Sequence, residues 1–204
     1  TLLYRDDEAS EFRPLITTDY RTSVSPSFFT FDDKKLYALS NRGRDKLSLV
    51  VIDPAKPDAE EEVFTPDTVD LDGAGYSRKR RVLTLAAYQT DKPQFKFFDA
   101  QSEALFKTLS AKLSGYEIAL QGSNRDENKF IVAAYNDRTP GSRYIYDATT
   151  DTLTKLADIN PAIPEADMAH VRPISYQSRD GLTIHGYLTP VSYTHLRAHE
   201  TSLH

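Results

Sequence analysis

Three stretches of the sequence share one internal spacing, and that spacing limits what the chain can fold into. They are "LYALSNRGRDKLSLVVID" (36–53), "VLTLAAYQTDKPQFKFFD" (82–99) and "FIVAAYNDRTPGSRYIYD" (130–147). Each holds an apolar strand, a polar turn rich in charge, Gly or Pro, and a second apolar strand ending in Asp. The Asp stands 17 residues after the strand start in all three, and successive starts lie 46 and 48 residues apart. Short alternating segments flank each pair. "SFFTF" (27–31), "VDLDGAGYS" (69–77) and "YEIALQGSN" (116–124) precede them; "EEVFT" (61–65), "ALFKTL" (104–109) and "DTLTKL" (151–156) follow. All read as β-strands. Four short strands at a constant pitch predict propeller blades, because a sandwich has no reason to keep the pitch. Strands near 36–40, 82–89 and 130–135 are expected among the more buried.

The expected fold class is therefore all-β, a partial β-propeller of about three and a half four-stranded blades over residues 1–160. The half blade is "LLYR" and "PLITT", joined through "DDEASEF", inside residues 1–20. Propellers typically close with four or more blades, so further blades of the same chain are expected as partners. A linker follows at 161–172, within the Pro-containing stretch "ADINPAIPEADMAHVRP" (157–173), which holds the single Met and a helical turn around "PEADMA". Next, "ISYQSRDGLTIHGYLTP" reads as a hairpin turning at "RDG", with Ile174 and Tyr176 opposite Ile184, Gly186 and Leu188. Its spacing does not match the blades, so 173–190 is expected to open another domain.

Composition narrows the function. A formal net charge of −5 argues against an electrostatic nucleic-acid partner. No apolar run is long enough for a membrane-spanning helix. The absence of Cys removes disulfides, thiol nucleophiles and cysteine zinc sites, and leaves the compartment, cytoplasmic or periplasmic, open. The N-terminus "TLLYRDDEAS" shows no signal-peptide pattern.

Few residues here suggest chemistry by themselves. Asp53, Asp99 and Asp147 each sit where a strand turns, and read as side chains accepting a bond from the backbone two residues on. "GAGYS" (73–77) lacks a nucleophile-elbow or dinucleotide-binding setting and reads as a strand turn. The basic "SRKRR" (77–81) and acidic "DAEEE" (58–62) read as solvated turns. His185 lies mid-strand, and His170 has no partner identifiable from sequence. His195 and His199 stand four apart, without the glutamate spacing of a zinc hydrolase. No G-x-S-x-G elbow, HGG oxyanion segment or phosphate loop is present. No catalytic residue, metal ligand or cofactor site is assigned, and no cofactor is expected.

The propeller repeat, the Pro-rich connector and "ISYQSRDGLTIHGYLTP" together resemble the prolyl oligopeptidase family of serine peptidases, in its bacterial acylaminoacyl-peptidase and dipeptidyl-aminopeptidase branch. "DDEASEFRPLITTDYRTSVSPSFFTFDDKKLYALSNRGRDK" (6–46) resembles propeller sequence of the same group. The resemblance implies that 173–190 begins an α/β-hydrolase domain, truncated after Pro190. It also implies that the substrates are short peptides, admitted past the propeller to a Ser–Asp–His triad downstream of residue 190. The fragment itself is then non-catalytic. The tail 191–204, "VSYTHLRAHETSLH", departs from the pattern and resembles a translated sequencing-adapter oligonucleotide, so it is set aside as non-native. The alternative is a non-catalytic TolB-like propeller that binds a protein or polysaccharide, which would have no need of the entry hairpin.

Overall fold

Alternating apolar residues punctuated by Gly, Pro, Asn and Asp fold here into antiparallel meanders. The computed structural model describes residues 1–190. Strands β1 (Leu2–Tyr4) and β2 (Arg13–Ile16) form a two-stranded sheet. A four-stranded sheet follows, β3 (Val24–Phe29), β4 (Leu36–Ser40), β5 (Ser48–Ile52) and β6 (Glu60–Phe64), in sequence order. Next come β7 (Leu71–Ser77), β8 (Val82–Gln89) and β9 (Pro93–Phe97), then helix α1 (Ala100–Lys112). Strands β10 (Glu117–Ser123), β11 (Lys129–Asn136), β12 (Thr139–Asp147) and β13 (Thr152–Asp158) make a second four-stranded meander. After a 3-10 turn at Glu165–Asp167, β14 (Arg172–Gln177) and β15 (Thr183–Leu188) pair as a hairpin. The tail 191–204, with His195 and His199, lies outside the described residues. Among the described residues no helix is long and apolar enough to cross a membrane.

Contacts divide the chain into two compact units, Thr1–Thr108 and the remainder from Leu109, so the division falls inside α1. In the first unit the β3–β6 sheet is covered on both faces. Val50 and Ile52 point one way, into a cluster with Leu15, Ile16 and Ala38. Leu49 points the other way, into a cluster with Leu71 and Ala86. Period-two alternation sends neighbouring residues of β5 to opposite cores. All five β5 residues are buried. Each large apolar side chain buried in this way contributes roughly 1.5–3 kcal/mol.

The hairpin turns repeat one device. Asp33, Arg81, Glu127 and Asp151 each adopt a left-handed backbone, at φ of 58°, 56°, 49° and 52°. Each stands within three residues of the strand that follows, where that conformation reverses the chain. Just past the β11–β12 turn, where the pairing shifts register, Gly141 of β12 has a φ of 100° and an approach to Ala134 so close that a side chain is excluded.

The structure corrects three expectations. "ALFKTL" (104–109) is not a strand but part of α1, so the β7–β9 sheet has three strands and not four. Asp99 starts the helix: its carboxylate accepts the Ser102 N–H at 2.8 Å and the Ser102 hydroxyl at 2.7 Å. A Glu103–Lys107 pair supports the first turns, and Phe106 packs on Phe95 and Phe97 of β9 at ring distances of 4.7 and 5.4 Å. Second, "GAGYS" is no turn. It lies within β7, whose pairing with β8 shifts register at Leu71/Gly73 and again at Gly75/Tyr76. Third, β8 is mostly half-buried: Ala86 alone of its residues enters the core with Leu49 and Leu71, while Leu83 and Tyr88 pack at the margin.

Candidate functional site

Two arrangements of polar side chains stand out, one in each unit. In the second unit the connector is fastened to the β10–β13 sheet at two points. The β11–β12 turn, Asn136-Asp137-Arg138-Thr139, is closed by Asn136 Oδ1, which accepts the Arg138 and Thr139 N–H groups at 2.9 and 3.1 Å. The Asn136 amide nitrogen is thereby left free to donate to Glu165 Oε1 at 2.8 Å. Arg138 Nη2 donates to the same oxygen at 2.8 Å, and the Tyr116 hydroxyl donates to Glu165 Oε2 at 2.7 Å. Three donors thus converge on one carboxylate. The hydrogen bonds from Asn136 and Tyr116 hold the Glu165 carboxyl below the usual glutamate range. The Tyr116 phenol is raised, first by its bond to Glu165 and then by burial. Arg138 Nε is buried without a hydrogen-bond partner.

The second fastening is Asp137. Its Oδ2 accepts the Val171 N–H at 2.8 Å and lies 3.1 Å from His170 Nδ1. His170, unpartnered by sequence reasoning, therefore has a carboxylate partner 33 residues upstream. The Val171 and His170 bonds together lower the Asp137 carboxyl. Val171 immediately precedes β14, so the hairpin leaves the connector from a fixed point.

In the first unit a recess of about 430 Å³ opens beside the β3–β4 and β7–β8 turns. Phe28 stacks on Tyr76 at 4.3 Å, and Phe31, Arg78, Arg81 and Asp33 complete much of its wall.

The remaining sequence candidates fall as follows. Asp53 and Asp147 accept backbone N–H groups two residues on, from Ala55 and Thr149, each at 2.9 Å. Asp99 differs, because it caps α1 and pairs with Arg80 at 2.6 Å. Burial pushes its carboxyl up, but the bonds from Arg80 and Ser102 outweigh burial and leave it lowered. Arg80 of the basic run is accordingly not merely solvated. Nor is "DAEEE" a solvated turn: Glu60–Glu62 belong to β6. The Glu60 side chain is only 5% exposed, with Arg44 at 2.8 Å and Arg42 at 3.4 Å. His185 sits in β15 opposite Ser175 and is exposed. Among the described residues, no three His, Asp or Glu side chains gather closely enough to hold a metal ion.

No family model matches the chain. Over 169 residues it is 27% identical to dipeptidyl aminopeptidase BIII of Pseudoxanthomonas mexicana, a match covering 82% of this chain and 24% of that protein. The fold resembles that of prolyl oligopeptidase B from Galerina marginata, solved with a 25-residue macrocyclization substrate. The TM-score is 0.60 at 16% identity, covering 89% of this chain and 26% of that one. A prolyl endopeptidase studied for the role of inter-domain dynamics in catalysis and specificity matches at a TM-score of 0.59 and 17% identity. That match covers 91% of this chain and 26% of that one. The chain spans about a quarter of the length of each. The region matched is the one that folds as successive antiparallel sheets, the propeller region of prolyl oligopeptidases. With the entry-hairpin sequence and the sheet meanders in place, the chain is similar to one part of prolyl oligopeptidase family peptidases, in sequence to the dipeptidyl aminopeptidase and in fold to the two prolyl peptidases.

Proposed function

We propose that this chain is propeller from a serine peptidase that cleaves short peptides, with residues 173–190 forming the first hairpin of its α/β-hydrolase domain. In this reading residues 1–160 are about three and a half blades, the second completed by α1 in place of a fourth strand. The propeller restricts access to a catalytic site held elsewhere in the polypeptide, and these 204 residues hydrolyse nothing by themselves. Acyl transfer needs a nucleophile, a base and oxyanion donors together, and the sequence holds no family motif for them.

The observation that carries the proposal is the β14–β15 hairpin. It pairs as its sequence leads one to expect, with Ile174 opposite Gly186 and Tyr176 opposite Ile184. Its large apolar side chains are largely uncovered: Tyr176 is 57% exposed, Leu182 61% and Tyr187 61%. A two-stranded ribbon is marginal by itself and needs a further layer against its apolar face. A free-standing binding propeller has no use for such a ribbon.

The test compares the 204-residue chain with a longer polypeptide that carries it. Both are assayed on dipeptidyl-nitroanilides and on casein. The longer polypeptide is expected to turn over the nitroanilides, to leave casein intact and to be blocked by a serine-reactive phosphonate. The shorter chain is expected to do none of this. Casein cleavage at a comparable rate removes the gating role, and no phosphonate-sensitive turnover by the longer polypeptide favours the binding propeller.

A further inference from the structure

We propose that the recess beside the β3–β4 and β7–β8 turns binds a carboxylate carried on an apolar peptide segment. Choosing a peptide as the occupant rests on the function proposed above; recognition of a carboxylate beside an apolar group rests on the recess alone.

Its floor is aromatic. Phe28 stacks on Tyr76 at 4.3 Å, Phe31 flanks Tyr76 at 6.2 Å, and Tyr37, outside the recess, backs Phe28 at 4.9 Å. Its cations are Arg78 and Arg81. The Arg78 guanidinium stands 5.7 Å over the Tyr76 ring and donates through Nε to the Tyr76 hydroxyl at 3.1 Å. That contact orients the planar group without neutralising it.

Neither arginine has a carboxylate partner among the described residues, in a chain with 30 Asp and Glu against 25 Lys and Arg. Nearby arginines behave differently. Arg80, between the two in sequence, is matched by Asp99, and Arg42 and Arg44 are matched by Glu60. Two uncompensated guanidinium groups facing one cavity suit a carboxylate, which arginine forks bind through paired hydrogen bonds. Asp33 lines the same recess and leaves it one net positive charge. It repels a second acid and suits a peptide N–H, so the ligand is oriented with its carboxylate toward the arginines. The recess is open to solvent, and its volume of about 430 Å³ accommodates one or two residues.

The experiment is calorimetric titration of the 204-residue chain, which reads binding independently of any peptidase activity. The probes are N-acetyl-Ala-Phe as the free acid, its C-terminal amide, and N-acetyl-Asp-Phe-amide. The proposal expects the free acid to bind at least about tenfold more tightly than the plain amide, because a charge-assisted pair of bonds is lost. Binding of the aspartyl amide as strong as that of the free acid means that a terminal and a side-chain carboxylate are both accepted; weak binding assigns the site to the chain terminus. Both outcomes support the site. R78Q/R81Q is expected to lose about tenfold toward the free acid, while R78K/R81K retains part of the affinity and guards against misfolding. Equal binding of acid and plain amide, no binding of any probe at millimolar concentration, or full affinity in R78Q/R81Q overturns the proposal. Loss of the peptidase reading would leave these titrations unchanged.

Discussion

Arg80 Nη1 lies 2.6 Å from Asp99 Oδ2, tying the β7–β8 turn to the first turn of α1. The same carboxylate caps the helix through Ser102, so one side chain closes a turn, starts a helix and neutralises an arginine. Asp53 and Asp147, at matching places in the repeat, accept a backbone N–H two residues on but start no helix, and Asp147 pairs with Lys129 at 3.4 Å. A helix therefore enters at one unit of the repeat through the residues that follow the shared Asp.

Replacing Asp99 with Ala is expected to destabilise the chain by about 1–3 kcal/mol, the sum of a lost cap and an arginine left without its acid. Asp99→Asn keeps a capping oxygen and is expected to cost less. Urea denaturation of the three proteins measures both. Equal stability of Asp99→Ala and the parent would remove Asp99 from the helix start.

The sheets were legible because a buried strand has to alternate and a turn has to carry turn residues. The shared 17-residue offset marked β4, β5, β8, β9, β11 and β12 directly. Helix α1 is not legible in "ALFKTL" alone, which is too short to separate the two periods. A wider window shows Asp99 as a cap and Leu105, Phe106, Leu109 and Leu113 at helical spacing. The connector fastenings had no local signal. Glu165 meets Tyr116 across 49 positions and Arg138 across 27, and only the folded sheet brings them together. The recess was equally hidden, since "SRKRR" names its cations but not Phe28 across the sheet boundary.

Gly141→Ala is expected to be among the most damaging single substitutions. An added Cβ would stand 2.1 Å from the Ala134 carbonyl oxygen, and the φ of 100° strains any side chain. The β11–β12 turn must then move, at roughly 2–4 kcal/mol. A urea midpoint within error of the parent would contradict this.

Glu165→Gln keeps the shape of the connector but removes the charge that three donors share. Residues 159–171 are expected to be cut by a nonspecific protease about three to ten times faster, with the sheets intact, because local opening governs cleavage. An unchanged cutting rate would mean that the Glu165 contacts do not hold the connector down.

The same fastenings set an acid limit. Glu165 and Asp137 both have carboxyls lowered on folding from the ordinary values of 4.5 and 3.8, so each contributes stability above that value and loses it as pH falls through the lowered one. The Val171 amide resonance is therefore expected to stay constant from pH 7 to about 4.5, and to shift below it. A shift already complete by about pH 5 would contradict this.

The most direct measurement is the position of the reactive serine. A longer polypeptide carrying this sequence is labelled with a serine-reactive phosphonate, digested and mapped by mass spectrometry. The propeller account predicts one modified serine, outside residues 1–190, and no label on the 204-residue chain treated alike. A modified serine within residues 1–190 would contradict it.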